Sequence, residues 1–333
     1  LVLVTSSFTV KNRKLIVMQY FIFSVPNAEG SIMDMIDFRY WRCVMKRDWT
    51  CPDDEINFYL FTPEKPHSHW IDARHPEALE DLGWKASRKN VLIVHGFNGT
   101  HSKSPMTILR DAFLSRKDYN VFMVDWSPLT RFPCYLSALS NMKLVSQCAA
   151  QVYSSIMHAG GLARRTTCVG HSLGAHICGM ISHHLTEKQY KIVGLDPARP
   201  LVNTYGSKLF RLGREDAHIV QVIHTNAGFL GETGLVGHAD FCVNGGRLQP
   251  GCKGHTMRIA RCSHFKSCCF YAASVRKRIR LVGVPCDTSC PKETGRWGLR
   301  PDIRSTVLAE DTPPTARGMF CVKAHYDADC PFD

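Results

Sequence analysis

Ser172 lies between two glycines in "TTCVGHSLGAHICGM" (166–180), inside an apolar run. A serine hydroxyl attacks poorly until a base takes its proton, and that base needs an acid to orient it. The G-x-S-x-G spacing, after a strand-like run and before a helix-like one, fits a strained turn that pushes the hydroxyl out at the C-terminal edge of a sheet. A small residue at an ordinary strand-to-helix junction is the competing reading. Asp196 in "VGLDPARP" follows 24 residues later, at the end of the next apolar run. Its plainer role is to start an Asp-Pro turn. For the base there are 16 histidines. The chain order nucleophile, acid, base leaves His218, His224, His238, His255, His264 and His325. His264, in "RCSHFKSCCFY", is slightly favoured because nearby cysteines could hold its segment rigid.

Acyl chemistry also needs two backbone N–H groups aimed at the developing oxyanion. Leu173, directly after the serine, supplies one. The other falls to Phe97 in "HGFNG" (95–99), where Gly96 gives the backbone room to turn inward. The elements that must position these groups are legible as β-rich runs: "VLIVHGF" (91–97), "NVFMVDW" (120–126), "TTCVGHS" (166–172), "KIVGLDP" (191–197) and "HIVQVIHT" (218–225). Near-continuous apolar strands are expected where helices cover both faces of a parallel sheet. Helix-like stretches fill the first three intervals. The alternation predicts one α/β domain, doubly wound and mostly parallel. No internal repeat or low-complexity linker divides it. Beyond Thr225 the chain turns rich in Gly, Cys and Arg, which predicts loops and late strands pinned by disulfides.

The chain has 333 residues, 44% hydrophobic and 21% charged, with 41 basic against 29 acidic side chains for a net charge of +12. Such an excess favours an anionic partner, whether nucleic acid, acidic polysaccharide or a lipid surface. No basic-aromatic module supports nucleic acid. The run "RKRIR" (276–280) suits anionic lipid or a sulfated glycan as well as a plain solvated face. Fifteen cysteines, nine of them at or after Cys242, suit an oxidising compartment. Zinc at Cys252, His255, Cys262 and His264 is the rival reading, weakened by the lack of a CxxC pair. Cys168, Cys178 and Cys148, in apolar surroundings, read as buried thiols. Lys11 to Lys14 precede the 11-residue apolar run "LIVMQYFIFSV" and then "PNAEGS". That pattern is expected of a signal region over residues 1–30, ahead of a secreted catalytic domain over 31–333. Asn98-Gly99-Thr100 is a glycosylation sequon.

Taken in order, "VHGF", "VDW", "GHSLGAH", "GLDPA", "HADF", "NGGRLQPGC" and "CSH" resemble the pancreatic lipase family, from about Asp53 to the C-terminal "GMFCVKAHYDADCPF". The resemblance implies an α/β-hydrolase fold, a Ser172–Asp196–His264 triad, and Phe97 and Leu173 as oxyanion donors. It also implies a lid between Cys252 and Cys262. Here that lid is only the nine residues "KGHTMRIAR", with Met257 and Ile259 its large apolar side chains. A lid so short resembles the phospholipase A1 branch, cleaving the sn-1 ester of phospholipids. A neutral-glyceride or galactolipid lipase of insect gut type keeps the same machinery. A yolk-type lipid-binding protein is the reading from another class, opposed by the intact triad. The family's calcium loop corresponds to "SKLFRLGREDA", where Lys208 and Gly213 replace acidic ligands and Arg211 and Asp216 are expected to form an ion pair, so no structural calcium is expected. Only 69 residues follow His264, too few for a colipase-binding sandwich. Cofactors are expected to be none. The partners expected are a phospholipid or other lipid at an interface. The disulfides expected are Cys252–Cys262 and Cys51–Cys134, with Cys268 and Cys269 pairing towards Cys286 and Cys290.

Overall fold

The structure, a computed structural model, describes the backbone of residues 4–10 and 13–19, and residues 43–286, 289–290 and 305–324 in full. It divides into two units, Leu1–Arg42 and Cys43–Asp333. In the first, β1 (Val4–Val10) and β2 (Arg13–Gln19) pair as an antiparallel hairpin, with Val10 opposite Arg13. The rest of the expected signal region, and His325, lie outside the described residues.

The second unit opens on β3 (Asn57–Phe61), β4 (His69–Trp70) and the short α1 (Ala78–Asp81). Then β5 (Lys89–Val94), α2 (Met106–Ser115), β6 (Tyr119–Asp125), α3 (Tyr135–His158), β7 (Thr166–His171), α4 (Leu173–Ile181) and β8 (Gln189–Leu195) alternate. After α5 (Val202–Tyr205) come β9 (Ala217–His224), β10 (Ala239–Val243), α6 (Thr256–Val275), β11 (Leu281–Pro285), β12 (Thr306–Leu308) and β13 (Gly318–Val322). Eleven strands form one sheet in the order β12-β11-β13-β10-β9-β8-β7-β5-β6-β3-β4. From β6 to β13 every neighbour is parallel; the flanking strands are antiparallel. This is the doubly wound, mostly parallel sheet of an α/β hydrolase.

The five apolar runs became β5 to β9 because helices cover both faces. One core layer sets Leu92, Val94, Phe122 and Ile192 against α3 and α4; the other sets Ile93, Met123, Val193 and Phe241 against α2 and α6. Each face therefore removes apolar side chains from water at roughly 25 cal/mol per Å². The stretch after Thr225 departs from expectation. It holds a 20-residue helix, α6, and it extends the parallel sheet through β10 and β13.

The cysteines also depart from expectation in part. Cys252 pairs with Cys262, but Cys51 bonds Cys148 and Cys134 bonds Cys43. Cys168 and Cys178 are bridged to each other, so neither they nor Cys148 are thiols. Cys290 joins Cys242 and Cys286 joins Cys321, which leaves Cys268 a buried free thiol while Cys269 is disulfide-bonded. The errors share a cause: spacing along the chain does not say which strand edges and helix faces the fold brings within the 4.4–6.8 Å Cα separation a bridge needs. The Cys252–Cys262 bond removes two of the four zinc ligands considered. No group of three or more His, Cys, Asp or Glu among the described residues could hold a metal ion. No helix among them is long and apolar enough to cross a membrane.

Candidate active site

Ser172 caps the N-terminus of α4 with φ 58° and ψ −121°. An L-residue pays about 1–3 kcal/mol for such backbone, so the surroundings must enforce it. They do. Ser172 N–H donates to Leu195 O (3.0 Å), and Ser172 O accepts from Ala175 (3.1 Å) and Ala198 (3.3 Å). A Cβ on Gly174 would strike the Val94 carbonyl and lie 2.8 Å from that of His95. Helix α4 can start this close to β5 only because Gly174 has none. Across the gap, a Cβ on Gly96 would come within 2.5 Å of Ser172 Cβ and 3.2 Å of its Oγ.

Asp196 ends β8 with φ 45° and is fully buried. Its Oδ1 accepts the N–H groups of Thr225 (2.8 Å) and Asn226 (3.0 Å), at the end of the neighbouring β9. Its Oδ2 faces His264 Nδ1 at 2.6 Å. With Oδ1 filled by two amide donors, Oδ2 accepts from His264 Nδ1–H, which turns Nε2 away from Asp196. His264 rides on α6, and His171 ties that helix to the serine turn. The two rings lie 4.5 Å apart, and His171 Nε2–H donates to the His264 carbonyl at 3.2 Å. Burial, and then the nearby His264, push the His171 pKa well down, so this second ring stays neutral.

Phe97 and Leu173 flank the same gap. No backbone acceptor among the described residues takes either N–H. The loop carrying Phe97 is fixed by Asn98 N–H to Thr130 O (2.8 Å), by Phe132 N–H to Asn98 Oδ1 (3.3 Å), and by the Phe97 ring meeting Tyr135 edge-on at 5.0 Å. Asn98, the sequon residue, is exposed beside it. Beneath the loop, Asp125 accepts from His101, from Thr100 Oγ1 (3.0 Å) and from Ser127 N–H (2.9 Å), while Trp126 Nε1–H donates to the His95 carbonyl (3.0 Å).

Several of these supports went unread in the sequence. His176 Nε2–H donates to Ala198 O (2.7 Å) and its Nδ1 accepts Leu212 N–H (3.0 Å), which joins α4 to the chain beyond Asp196. Burial takes its pKa down to about 4. His171 and His176 were available as the histidines of "GHSLGAH", and Asp125 as the acid of "VDW". Of the other five candidate bases, His224 is buried behind Asp196 and bonded to Asp240, His238 accepts Val220 N–H, His218 packs near Tyr190, and His255 caps α6. None of these four bonds Asp196 among the described residues, and His325 lies outside them.

The segment expected to be a lid differs from a free loop. Residues 256–261 already belong to α6, and the Cys252–Cys262 disulfide clamps the preceding turn to that helix. Met257 is 52% exposed, and Ile259 is half-buried. At the loop matching the calcium site, the expected Arg211–Asp216 pair is not formed. Asp216 instead faces His183 Nε2 (3.4 Å) and accepts Gly213 N–H (2.8 Å), while Arg211 donates to Asn203 Oδ1 (2.8 Å). The run 276–280 closes α6 and turns into β11, twelve residues or about 18 Å of helix from His264. It is therefore not part of the rim around Ser172.

The Lipase family model matches residues 28–292. Lipase member H-A of Xenopus laevis is 31% identical over 298 residues, covering 84% of this chain and 64% of that protein. Phospholipase A1 member A of Bos taurus is 33% identical over 239 residues, 70% of this chain and 51% of that one. Pancreatic lipase-related protein 2 of Rattus norvegicus is 31% identical over 265 residues, 72% and 56%. The chain spans about half to two thirds of the length of these curated relatives.

Proposed function

The chain belongs to the pancreatic-type lipase family, and from that premise we propose that it is a serine carboxylic-ester hydrolase acting through an acyl-enzyme. Ser172 Oγ attacks the ester carbonyl carbon while His264 Nε2 takes its proton. Asp196 holds the imidazole and stabilises the charge it gains. The Phe97 and Leu173 amides bond the tetrahedral oxyanion. His264 then returns the proton to the departing alcohol. Water, deprotonated by the same imidazole, cleaves the acyl-serine and releases the fatty acid. The observation that carries this reading is the Asp196–His264 bond, seated on a carboxylate whose other oxygen is filled by two amides.

The substrate we propose is the sn-1 ester of a phospholipid. A lid reduced to the clamped start of α6 has no apolar sheet with which to cover a wide acyl groove. Its cations, Lys253, Arg258 and Arg261, are of the chemistry that pairs with a phosphate headgroup, which supports this reading. The protein is proposed to act outside the cell after removal of its N-terminal region, at a lipid surface, without structural calcium, and with Asn98 open to glycosylation. Six disulfides among the described residues suit that compartment. The test is hydrolysis of matched phosphatidylcholine, triglyceride and galactolipid dispersions beside Ser172→Ala. Phosphatidylcholine turnover should lead and 2-acyl lysophospholipid should accumulate. Faster triglyceride or galactolipid turnover rejects the substrate, and activity surviving in Ser172→Ala rejects the mechanism.

A further inference from the structure

Behind Asp196 lies a second histidine–aspartate pair that the reaction above does not use. His224, the last residue of β9, and Asp240, on β10, are both wholly buried. His224 Nε2 faces Asp240 Oδ2 at 2.9 Å, and its Nδ1 faces the carbonyl oxygen of Glu232 at 3.0 Å. A carbonyl oxygen only accepts. Asp240 is likewise committed as an acceptor, because Oδ1 takes Gly237 N–H and Oδ2 takes Val236 N–H, both at 2.8 Å. With Asp240 as a carboxylate, both ring nitrogens carry protons, which makes His224 an imidazolium.

The pair also closes a loop around the acid. Thr225 and Asn226, directly after His224, supply the two amides on Asp196 Oδ1. From there the chain doubles back: Gly231 N–H donates to Asn226 O (3.1 Å) and Glu232 N–H to Pro197 O (2.9 Å). A Cβ on Gly231 would fall 2.5 to 2.6 Å from both Asp196 oxygens, so the loop backbone is pressed against the carboxylate. His224 ties Glu232 to β9, and Asp240 ties 236–237 to β10. We infer that His224 is a protonated positioning residue for the proposed reaction, which with Asp240 locks the collar of backbone that aims Asp196 at His264.

The inference rests on the ester-hydrolase reading. The charged groups facing His224 are Asp240 on β10, Asp196 at the end of β8, and Glu232 on the loop. Burial opposes the charge, but the Asp240 bond and the charges of Asp240 and Asp196 outweigh it and raise the pKa.

The test uses the whole protein, labelled with ¹⁵N-histidine. One histidine should show both ring nitrogens protonated at pH 8, and that signal should vanish in His224→Gln. The low-field proton of His264 Nδ1 reports the bond to Asp196 without any turnover. It should shift or broaden in His224→Gln, and kcat on a soluble short-chain ester should fall about 10- to 100-fold with KM changed less than about twofold. If His224→Gln does not fold, raising the pH of the native protein until His224 deprotonates should move the same resonance. A His224 neutral at pH 8, or a low-field proton unmoved by its loss or deprotonation, overturns the inference. Failure of the ester-hydrolase reading would appear separately, as activity surviving in Ser172→Ala while the low-field proton behaves as described.

Discussion

Two disulfides, each spanning ten residues, bracket the two ends of the proposed proton relay. Cys168–Cys178 runs from the middle of β7 to α4 and encloses Ser172; Cys252–Cys262 clamps the lid turn to α6, two residues before His264. The covalent loops are equal in length, yet their settings are opposite. The first is wholly buried, and its loop is the strained turn itself. The second encloses exposed residues, Met257 and Arg258 among them, at the start of a helix. Equal loops remove about the same chain entropy from the unfolded state, about 3 kcal/mol each. Any difference in their effect therefore measures packing, and it teaches that the nucleophile is held by the core whereas the lid is held mainly by its bond.

The largest effect should come from inside the first loop. Ser172→Ala removes the attacking oxygen, and kcat on any ester should fall about 10⁵- to 10⁶-fold with little change in denaturant midpoint. Residual turnover near that of the parent would mean that the buried loop does not carry the chemistry. Next come the bonds themselves. Cys168→Ala/Cys178→Ala should cost about 4–5 kcal/mol, because two buried sulfur positions become voids as well. Cys252→Ala/Cys262→Ala should cost about 1–3 kcal/mol, partly as fraying of the first turns of α6. Urea unfolding of both double variants decides it, and equal losses would break the comparison.

The neutral histidines sharpen it further. His176 sits on α4 inside the first loop, and its pKa falls from an ordinary 6.5 to about 4 in the fold. His171 is lowered in the same direction. Above pH 6.5 both states are neutral and nothing is lost. Below it the unfolded chain binds protons that the native chain refuses, so stability declines from pH 6.5 towards pH 4 and levels off beneath. At about 1.4 kcal/mol per pH unit, His176 alone accounts for about 3 kcal/mol. His176→Gln should flatten that acid limb, as read from denaturant midpoints across the range.

Much of the sheet was legible because its strands are covered on both faces and so read as unbroken apolar runs. Ser172, Asp196 and Phe97 each close such a run, which is why their places could be read before any geometry. Helix α6 was not legible. Fourteen of its twenty residues are buried, including Ser263, His264, Lys266 and Ser267, so no polar face alternates with an apolar one. His264 therefore stood out from the other histidines only weakly, until its segment proved to be a helix laid against His171. Cys168 and Cys178 misled for a related reason. An apolar neighbourhood signals burial, and burial is shared by a thiol and a disulfide. Chain order makes His224 a candidate base, but its bonds run to Asp240 and to a carbonyl that no motif announces.

The smallest effect belongs to the outer side of the second loop. Met257 is about half exposed on a helix start that the disulfide already fixes, so Met257→Ser should move stability by less than about 0.5 kcal/mol. It should also leave kcat and KM on a soluble ester unchanged, because the side chain is outside the proposed set of reacting groups. On phosphatidylcholine vesicles the apparent KM should rise a fewfold, since a thioether of this size contributes up to about 1.5–3 kcal/mol when it leaves water for a lipid surface. Parallel assays on the two substrates separate these expectations. A change with the soluble ester would place the lid's influence inside the acyl site. No change with vesicles would mean that the exposed half of this loop is neither a rim nor a lid, and that the contrast between the two loops ends at their packing.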